Sequence, residues 1–213
     1  LNGRAWGRAR LTVVYEDGLE QTIHYDVIKP QAEAVSDLGR FLFTRQWFKD
    51  DGDPFGRSPA IMTYDRERNR VVTQDSRAWI AGLGDEGGSS WLAGAMKLFG
   101  RPDRGQVRKY EEFIDKVLWG GLQIDEGEQK YGVRKSLFYY QPDLLPPGTY
   151  RGDLDWSSWT SWDQEHSSRL ERSFNYPHVA ALHWVMYRLA RNHDALVTNH
   201  PWQWYLENAR QTA

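Results

Sequence analysis

From Asp155 to His166 the sequence reads Asp-Trp-Ser-Ser-Trp-Thr-Ser-Trp-Asp-Gln-Glu-His. Trp156, Trp159 and Trp162 therefore recur at every third position among hydroxyl residues, with carboxylates at both ends. Flat indole faces pack on the apolar faces of sugar rings, while acids and hydroxyls bind or activate sugar oxygens, so this mixture suits a carbohydrate site. Large aromatics are also ordinary core anchors. A spacing of three, however, does not match the alternating three-and-four stripe of a buried helix face. Nor does it suit a strand, whose period of two throws alternate side chains to opposite faces. The spacing predicts a loop lining a cleft, with the three indoles as substrate platforms.

The second chemical feature is Gly84-Asp85-Glu86-Gly87-Gly88, two adjacent carboxylates among glycines just before a helical pattern. An acid at a helix N-terminus is stabilised by the helix dipole, and Asp85 or Ser89 would serve as a cap. A cap does not need three glycines, which allow unusual backbone angles and close approach by a substrate. Glycoside hydrolysis takes one carboxylic acid to protonate the leaving oxygen and a second carboxylate to activate water or attack. Glu86 is the expected acid, with Asp85 or Asp163 as its partner. Asp163 is favoured because Trp162 beside it would supply an apolar environment that tunes its pKa. Asp125-Glu-Gly-Glu128 reads as a hairpin tip, from which Glu126 would fold over the cleft as a binding residue.

Phe174-Asn-Tyr-Pro-His178 precedes the best helical pattern of the chain, with Asn175 a plausible cap and Pro177 suited to the first turn. A cap alone leaves His178 unexplained. Tyr176 and His178 are assigned to substrate binding, and together with Asn175 they carry an alternative chemistry: neutralising a uronate and abstracting its C5 proton, as in a β-elimination lyase. The remaining histidines do not have metal-ligand spacing, and His-Glu-x-x-His is absent. There is no phosphate-binding glycine loop and no Gly-x-Ser-x-Gly elbow. No metal and no cofactor are expected.

Composition narrows the classes further. The chain has 213 residues, enough to bury a substantial core, and a formal net charge of -2. Its 27 Lys and Arg are spread among 29 Asp and Glu, so the basic stripe of a nucleic-acid module is missing. No cysteine is present, which excludes disulfides and thiolate chemistry. No apolar run approaches the ~20 residues needed to span a bilayer, and no membrane partner is expected. The excess is aromatic, with 11 Trp, 11 Tyr and 8 Phe, a bias that accompanies sugar-binding clefts.

The elements that must position these residues are mostly helical. Alternation over Ala9 to Tyr15, the turn Glu16-Asp17-Gly18, and Gln21 to Ile28 predict a β-hairpin, marginal alone and so part of a larger sheet. Helical periodicity then runs from Gln31 to about Phe48, and the acidic loop Asp50 to Gly56 reads as a solvated turn more readily than a calcium loop. Further helices are predicted around Ser76 to Leu83, from Ser89 to Phe99, from Val107 to Leu118, beyond Asn175, and from Trp202 to Ala209. Leu122 to Tyr140 reads as a β-excursion.

Four segments carry a family resemblance: Ser76-Arg-Ala-Trp-Ile-Ala-Gly-Leu-Gly-Asp-Glu-Gly-Gly88, Trp119-Gly-Gly121, Tyr131-Gly-Val-Arg-Lys-Ser-Leu-Phe-Tyr-Tyr140, and Asp155 through His178. With these the chain resembles the six-hairpin glycosidase superfamily of (α/α) toroids, and most closely a microbial and fungal family of large secreted proteins in which a β-sandwich precedes the helical barrel. The resemblance implies a mainly α fold, a partial (α/α)6 toroid of helix hairpins. Residues 1–30 would be trailing strands of the β-sandwich, and residues 31–213 the first half of the toroid. It also implies a fragment whose main partner, besides a carbohydrate substrate, is the remainder of its own polypeptide, located outside the cell or in the periplasm. The expected function is a carbohydrate-active protein, foremost a glycoside hydrolase on a poly- or oligosaccharide. The alternatives are a uronate lyase and a non-catalytic glycan-binding module.

Overall fold

The computed structural model describes residues 7–213; the first six residues of the expected 1–30 unit lie outside the described part. The hairpin forms as its alternation predicts. β1 (Gly7–Val14) pairs antiparallel with β2 (Glu20–Val27), with Leu11 opposite Ile23 and Thr12 opposite Thr22. Gly18, at φ +83°, supplies the positive angle of the turn. Both faces of the hairpin are exposed, Leu11, Val13, Ile23 and Tyr25 included.

α1 (Gln31–Leu42) stops short of the periodic pattern that reaches Phe48. Its continuation is claimed by strand pairing instead: β3 (Trp47–Phe48) binds β4 (Ala60–Ile61), and the buried Gln46 amide donates to the Met62 carbonyl at 2.7 Å. A second short ladder, β5 (Tyr64–Asp65) with β6 (Arg70–Val71), follows. In the acidic loop Asp53 is buried and paired with Arg57 (2.6 Å), so that carboxylate serves an internal ion pair.

The helices are α2 (Ala78–Ala81), α3 (Asp85–Gly100), α4 (Arg104–Phe113), α5 (Gln164–Ser168), α6 (Asn175–Asn192) and α7 (Trp202–Thr212). Asp103 caps α4 by accepting from Gln106 N (2.9 Å), and the helix runs on into a π turn, Ile114–Leu118. α6 packs on α7 and α3, and α3 in turn touches α1, α2 and α4. Leu83, Trp91, Leu98, Tyr110, Phe113, Leu182, Met186 and Tyr205 form the shared core. Two of its polar atoms are matched, Trp91 Nε1 donating to the Leu83 carbonyl (2.9 Å) and the Tyr110 hydroxyl to the Trp91 carbonyl (2.7 Å), while the Tyr205 hydroxyl is buried without a partner among the described residues. The fold is thus mainly α with small two-stranded sheets.

The β-excursion expected over Leu122–Tyr140 is corrected. This stretch holds single-residue bridges, Trp119 to Gln123 and Gln123 to Val133, and no strand. Gly127 (φ +74°) and Tyr131 (φ +72°) bend it out of extended geometry. The N–H groups of Ile124, Tyr131 and Arg134 bond within the stretch, to the Gly132, Ile124 and Leu122 carbonyls, but those beyond bond to other segments: Leu137 to the Gly82 carbonyl, Lys135 to that of Arg169, Ser136 to that of Ser167 and Tyr140 to that of Trp162. The segment is a seam that stitches α2, the tryptophan loop and α5 together.

Candidate functional site

The tryptophan run is a loop, as its spacing predicts, and it is pinned to α2. Ala78 N donates to the Thr160 carbonyl (3.0 Å), and the Thr160 and Ser161 hydroxyls donate to the Ser76 carbonyl (2.9 and 3.0 Å). The three indoles then part ways. Trp162 is 5% exposed and packs on Trp79 of α2 with ring centres 4.9 Å apart. Trp156 is half-buried and stacked on Tyr140 at 4.6 Å. Trp159 is 81% exposed, and its ring lies 6.2 Å from that of Trp79, at the rim of the pair. Of the run, Trp159 offers the open face.

The ion pair beside this rim comes from residues far apart in sequence. Arg172 binds Asp85 through both Nε (3.1 Å to Oδ2) and Nη2, and its guanidinium lies 5.2 Å from the Trp79 ring centre and 5.4 Å from that of Trp162. Cations over indole faces gain from the ring quadrupole, more so when partly desolvated. Lys135 Nζ sits 4.4 Å from the Trp162 ring centre, within 2.7 Å of His166 Nε2 and 3.1 Å of Glu171. His166 has its pKa lowered by burial and by the neighbouring Lys135 and Arg169, which favours a neutral imidazole.

Asp85 opens α3 in a left-handed backbone conformation, φ +45°, which costs a non-glycine residue of order 1–3 kcal/mol. Asn175 holds it there: Oδ1 accepts from Asp85 N (2.9 Å), and Nδ2 donates to the Arg134 and Lys135 carbonyls (2.8 and 3.1 Å). The expectation that Asn175 caps α6 is therefore corrected, because its amide is consumed in bracing α3 to the seam. Neither Asp85 nor Ser89 caps α3, whose cap residue Gly84 makes no side-chain bond. A Cβ at Gly84 would collide with the Lys135 carbonyl, so the glycine answers a need for close approach.

Glu86 is exposed on the first turn of α3 and makes no side-chain hydrogen bond among the described residues. Asp163 is exposed and caps α5, accepting from His166 N at 2.7 Å; Trp162 does not enclose it as expected. Glu126 is exposed in the Gly127 turn. The Tyr176 hydroxyl donates to the Leu170 carbonyl (2.8 Å). His178 is half-buried and edge-on to Trp91 at 6.0 Å, and its Nδ1 is buried without a partner among the described residues. Burial lowers its pKa against the opposing pull of Asp85.

The structure thus brings Asp85, Trp159 and Trp162 to one place, and His178 close enough to feel Asp85. Trp79, Lys135, His166, Glu171 and Arg172 join them unforeseen. No spacing links these residues; only the aromatic-cation composition of the segments hinted at them. Among the described residues no group of three or more His, Asp or Glu is arranged to hold a metal ion, and no helix is long and apolar enough to cross a membrane.

Fold and site together define a mainly α-helical domain with an indole rim and an ion pair at the mouth of its longest core helices. Residues 1–213 match the family described as a family of unknown function (DUF5695), and the chain belongs to that family. No curated protein matches the chain. Among solved structures, the polysaccharide lyase BACCELL_00875 has a similar fold, with a TM-score of 0.63 and 18% identity over 98% of this chain. The match covers 25% of that protein, so the chain spans about a quarter of its length.

Proposed function

We propose that the chain forms part of a carbohydrate-active protein that cleaves a polysaccharide laid across Trp159 toward the N-terminus of α3. The observation that carries this reading is Trp159 itself, an indole 81% exposed at the rim of the Trp79–Trp162 pair, with Arg172 and Asp85 beside it. An indole this open contributes little to folding, whereas it offers a flat apolar face of the kind sugar rings stack on. The similarity in fold to a polysaccharide lyase supports the reading.

The chemistry that fits best is β-elimination on a uronate. That reaction needs a base that is neutral at working pH and a cation beside the sugar carboxylate. His178 is kept neutral by burial, and Arg172 on the indole pair supplies the cation by exchanging Asp85 for the sugar carboxylate. The base removes the C5 proton, the C4–O bond breaks, and the departing oxygen takes a proton, with Tyr176 the proposed donor once its hydroxyl turns from the Leu170 carbonyl to the substrate. The second reading is hydrolysis, favoured by one observation: Glu86 is exposed and unengaged at the mouth. There Glu86 acts as acid, Asp85 or Asp163 as its partner, and Glu126 binds substrate. In either reading the helices form part of an (α/α)6 toroid and the hairpin ends a β-sandwich. Polymeric glycan then places the protein outside the cell or in the periplasm.

The test incubates the full-length protein with acidic and neutral polysaccharides and scores ultraviolet-absorbing unsaturated ends against saturated reducing ends. Elimination predicts unsaturated ends, lost in His178→Ala and kept in Glu86→Gln. Saturated ends lost in Glu86→Gln would assign hydrolysis instead. Binding without turnover on every substrate would reduce the site to a glycan-binding module.

A further inference from the structure

On the far face of α5 lies a cavity of about 250 Å³ that belongs to none of the groups described above. Its walls include Phe55, Gly120, Arg134, Tyr139, Gln164 and Ser168. We infer that it is a second ligand site, holding a single acidic sugar residue with its carboxylate on Arg134.

Arg134 carries the argument. Among the described residues four arginines are not exposed: Arg57, Arg134, Arg151 and Arg172. Three of them face a carboxylate, Asp53, Asp153 and Asp85 respectively. Arg134 faces none. Its Nε donates to the Gly121 carbonyl at 2.9 Å, which fixes the plane of the guanidinium, and its two Nη atoms have no hydrogen bond or ion pair among the described residues. A partly desolvated guanidinium with its outer edge unspent matches a planar carboxylate, which it binds with two parallel N–H···O bonds.

The rest of the cavity suits a sugar ring. Gln164 and Ser168 stand four residues apart on α5, on one face of the helix. The Gln164 side-chain amide, the Ser168 hydroxyl and the Tyr139 hydroxyl are all without hydrogen bonds among the described residues, leaving donors and acceptors for ring hydroxyls. Phe55, buried against Phe138 (4.6 Å) and Tyr139 (5.2 Å), gives a rigid apolar wall. Gly120, at φ +87°, turns the chain there, and a Cβ on it would lie 3.1 Å from the Asp125 carboxylate. The volume is sufficient for one pyranose ring.

The choice of a sugar as ligand rests on the carbohydrate reading above, but the site is separate and so is its test. Glucuronate, galacturonate, glucose and inorganic phosphate are titrated into the full-length protein and followed by calorimetry and ligand-observed NMR. One uronate is expected to bind at least about tenfold more tightly than glucose, the contribution of a charge-assisted pair. Arg134→Gln should remove that preference. Because Arg134 also braces Gly121, Gln164→Trp provides a plug from the exposed start of α5, and it should abolish uronate binding in a folded protein. Uronate affinity unchanged by Gln164→Trp, or equal affinity for glucose or phosphate, would overturn the site. Uronate binding lost in Trp159→Ala and kept in Gln164→Trp would place the sugar at the indole rim and also overturn it. Binding that obeys Arg134 and Gln164 while no polysaccharide is cleaved would leave this site standing and sink the proposed activity.

Discussion

Trp162 packs on His166 with ring centres 5.0 Å apart, and Trp204 stacks on His200 at 3.9 Å, yet the two regions spend the same residue types differently. Around Trp204 the carboxylates are consumed internally, although His183 Nδ1, the Tyr205 hydroxyl and Asn208 Oδ1 are buried without a partner among the described residues. His200 Nε2 meets Asp115 (2.7 Å), and Asn199 binds the same carboxylate (2.7 Å). The buried Glu111 accepts from the backbone N–H groups of Thr198 and Asn199, both at 2.7 Å. Deeper in, His183 Nε2 faces Gln123 Oε1 (2.9 Å), whose amide donates to the Thr212 hydroxyl (2.7 Å). Those carboxylates and amides fasten the 194–201 loop and α7 to the core. Around Trp162 the inner indole is the more deeply buried of the two, Trp204 being half-buried, but the neighbouring Trp159 is open, and the partly exposed Arg172 lies over the ring faces. The lesson is that solvent access, more than residue type, separates a structural tryptophan–histidine pair from a candidate site.

The comparison breaks most visibly if the inner indole is not a core residue after all. Trp162→Ala should cost about 3–5 kcal/mol, the range for emptying a buried aromatic site, measured as the fall in unfolding free energy in urea. A loss of less than about 1 kcal/mol would mean that Trp162 belongs to the open rim with Trp159.

A smaller effect sharpens the contrast from the other side. Burial pushes His183 down to about 3, from the ordinary value of 6.5. The unfolded chain therefore binds a proton that the native state refuses between those two values. His183 thus contributes stability that is fully present above pH 6.5 and is lost as pH falls toward 3. The slope should approach about 1.4 kcal/mol per pH unit within that window. Urea midpoints across the window, compared with His183→Gln, should show the acid slope flatten in the variant. Equal slopes would mean that the histidine is not sealed in.

How far the sequence foretold this arrangement depended on whether a signal was local. The hairpin was legible because Asp17-Gly18 and strict alternation are both short-range, and α6 because its apolar stripe is continuous. The end of α1 was not, since Phe43 to Phe48 keeps helical periodicity and only the distant Ala60–Ile61 partner converts it to a strand. The excursion from Leu122 to Tyr140 has strand composition and pairs with itself around Ile124, but from Lys135 onward its donors find carbonyls on three other segments. The loop nature of the tryptophan run followed from its spacing, while the burial of Trp162 against Trp79 did not, because a contact across 83 positions leaves no trace in a three-residue repeat. The Arg172–Asp85 pair was hidden for the same reason. Asn175 was misread because a cap and a cross-brace use the same amide.

The least perturbing change is the most discriminating. Trp159→Ala removes a ring that is 81% exposed and whose nearest aromatic neighbour is 6.2 Å away, so unfolding free energy should move by no more than about 0.5 kcal/mol. If the ring is a sugar platform, polysaccharide affinity should nevertheless fall by about tenfold, the equivalent of 1.4 kcal/mol of stacking. Affinity electrophoresis on the full-length protein reads the second quantity and urea unfolding the first. Weakened binding with unchanged stability would set Trp159 apart from Trp162 and Trp204 as a residue retained for its ligand. Unchanged binding would return the whole tryptophan run to the class of the Trp204 region, where indoles serve the fold alone.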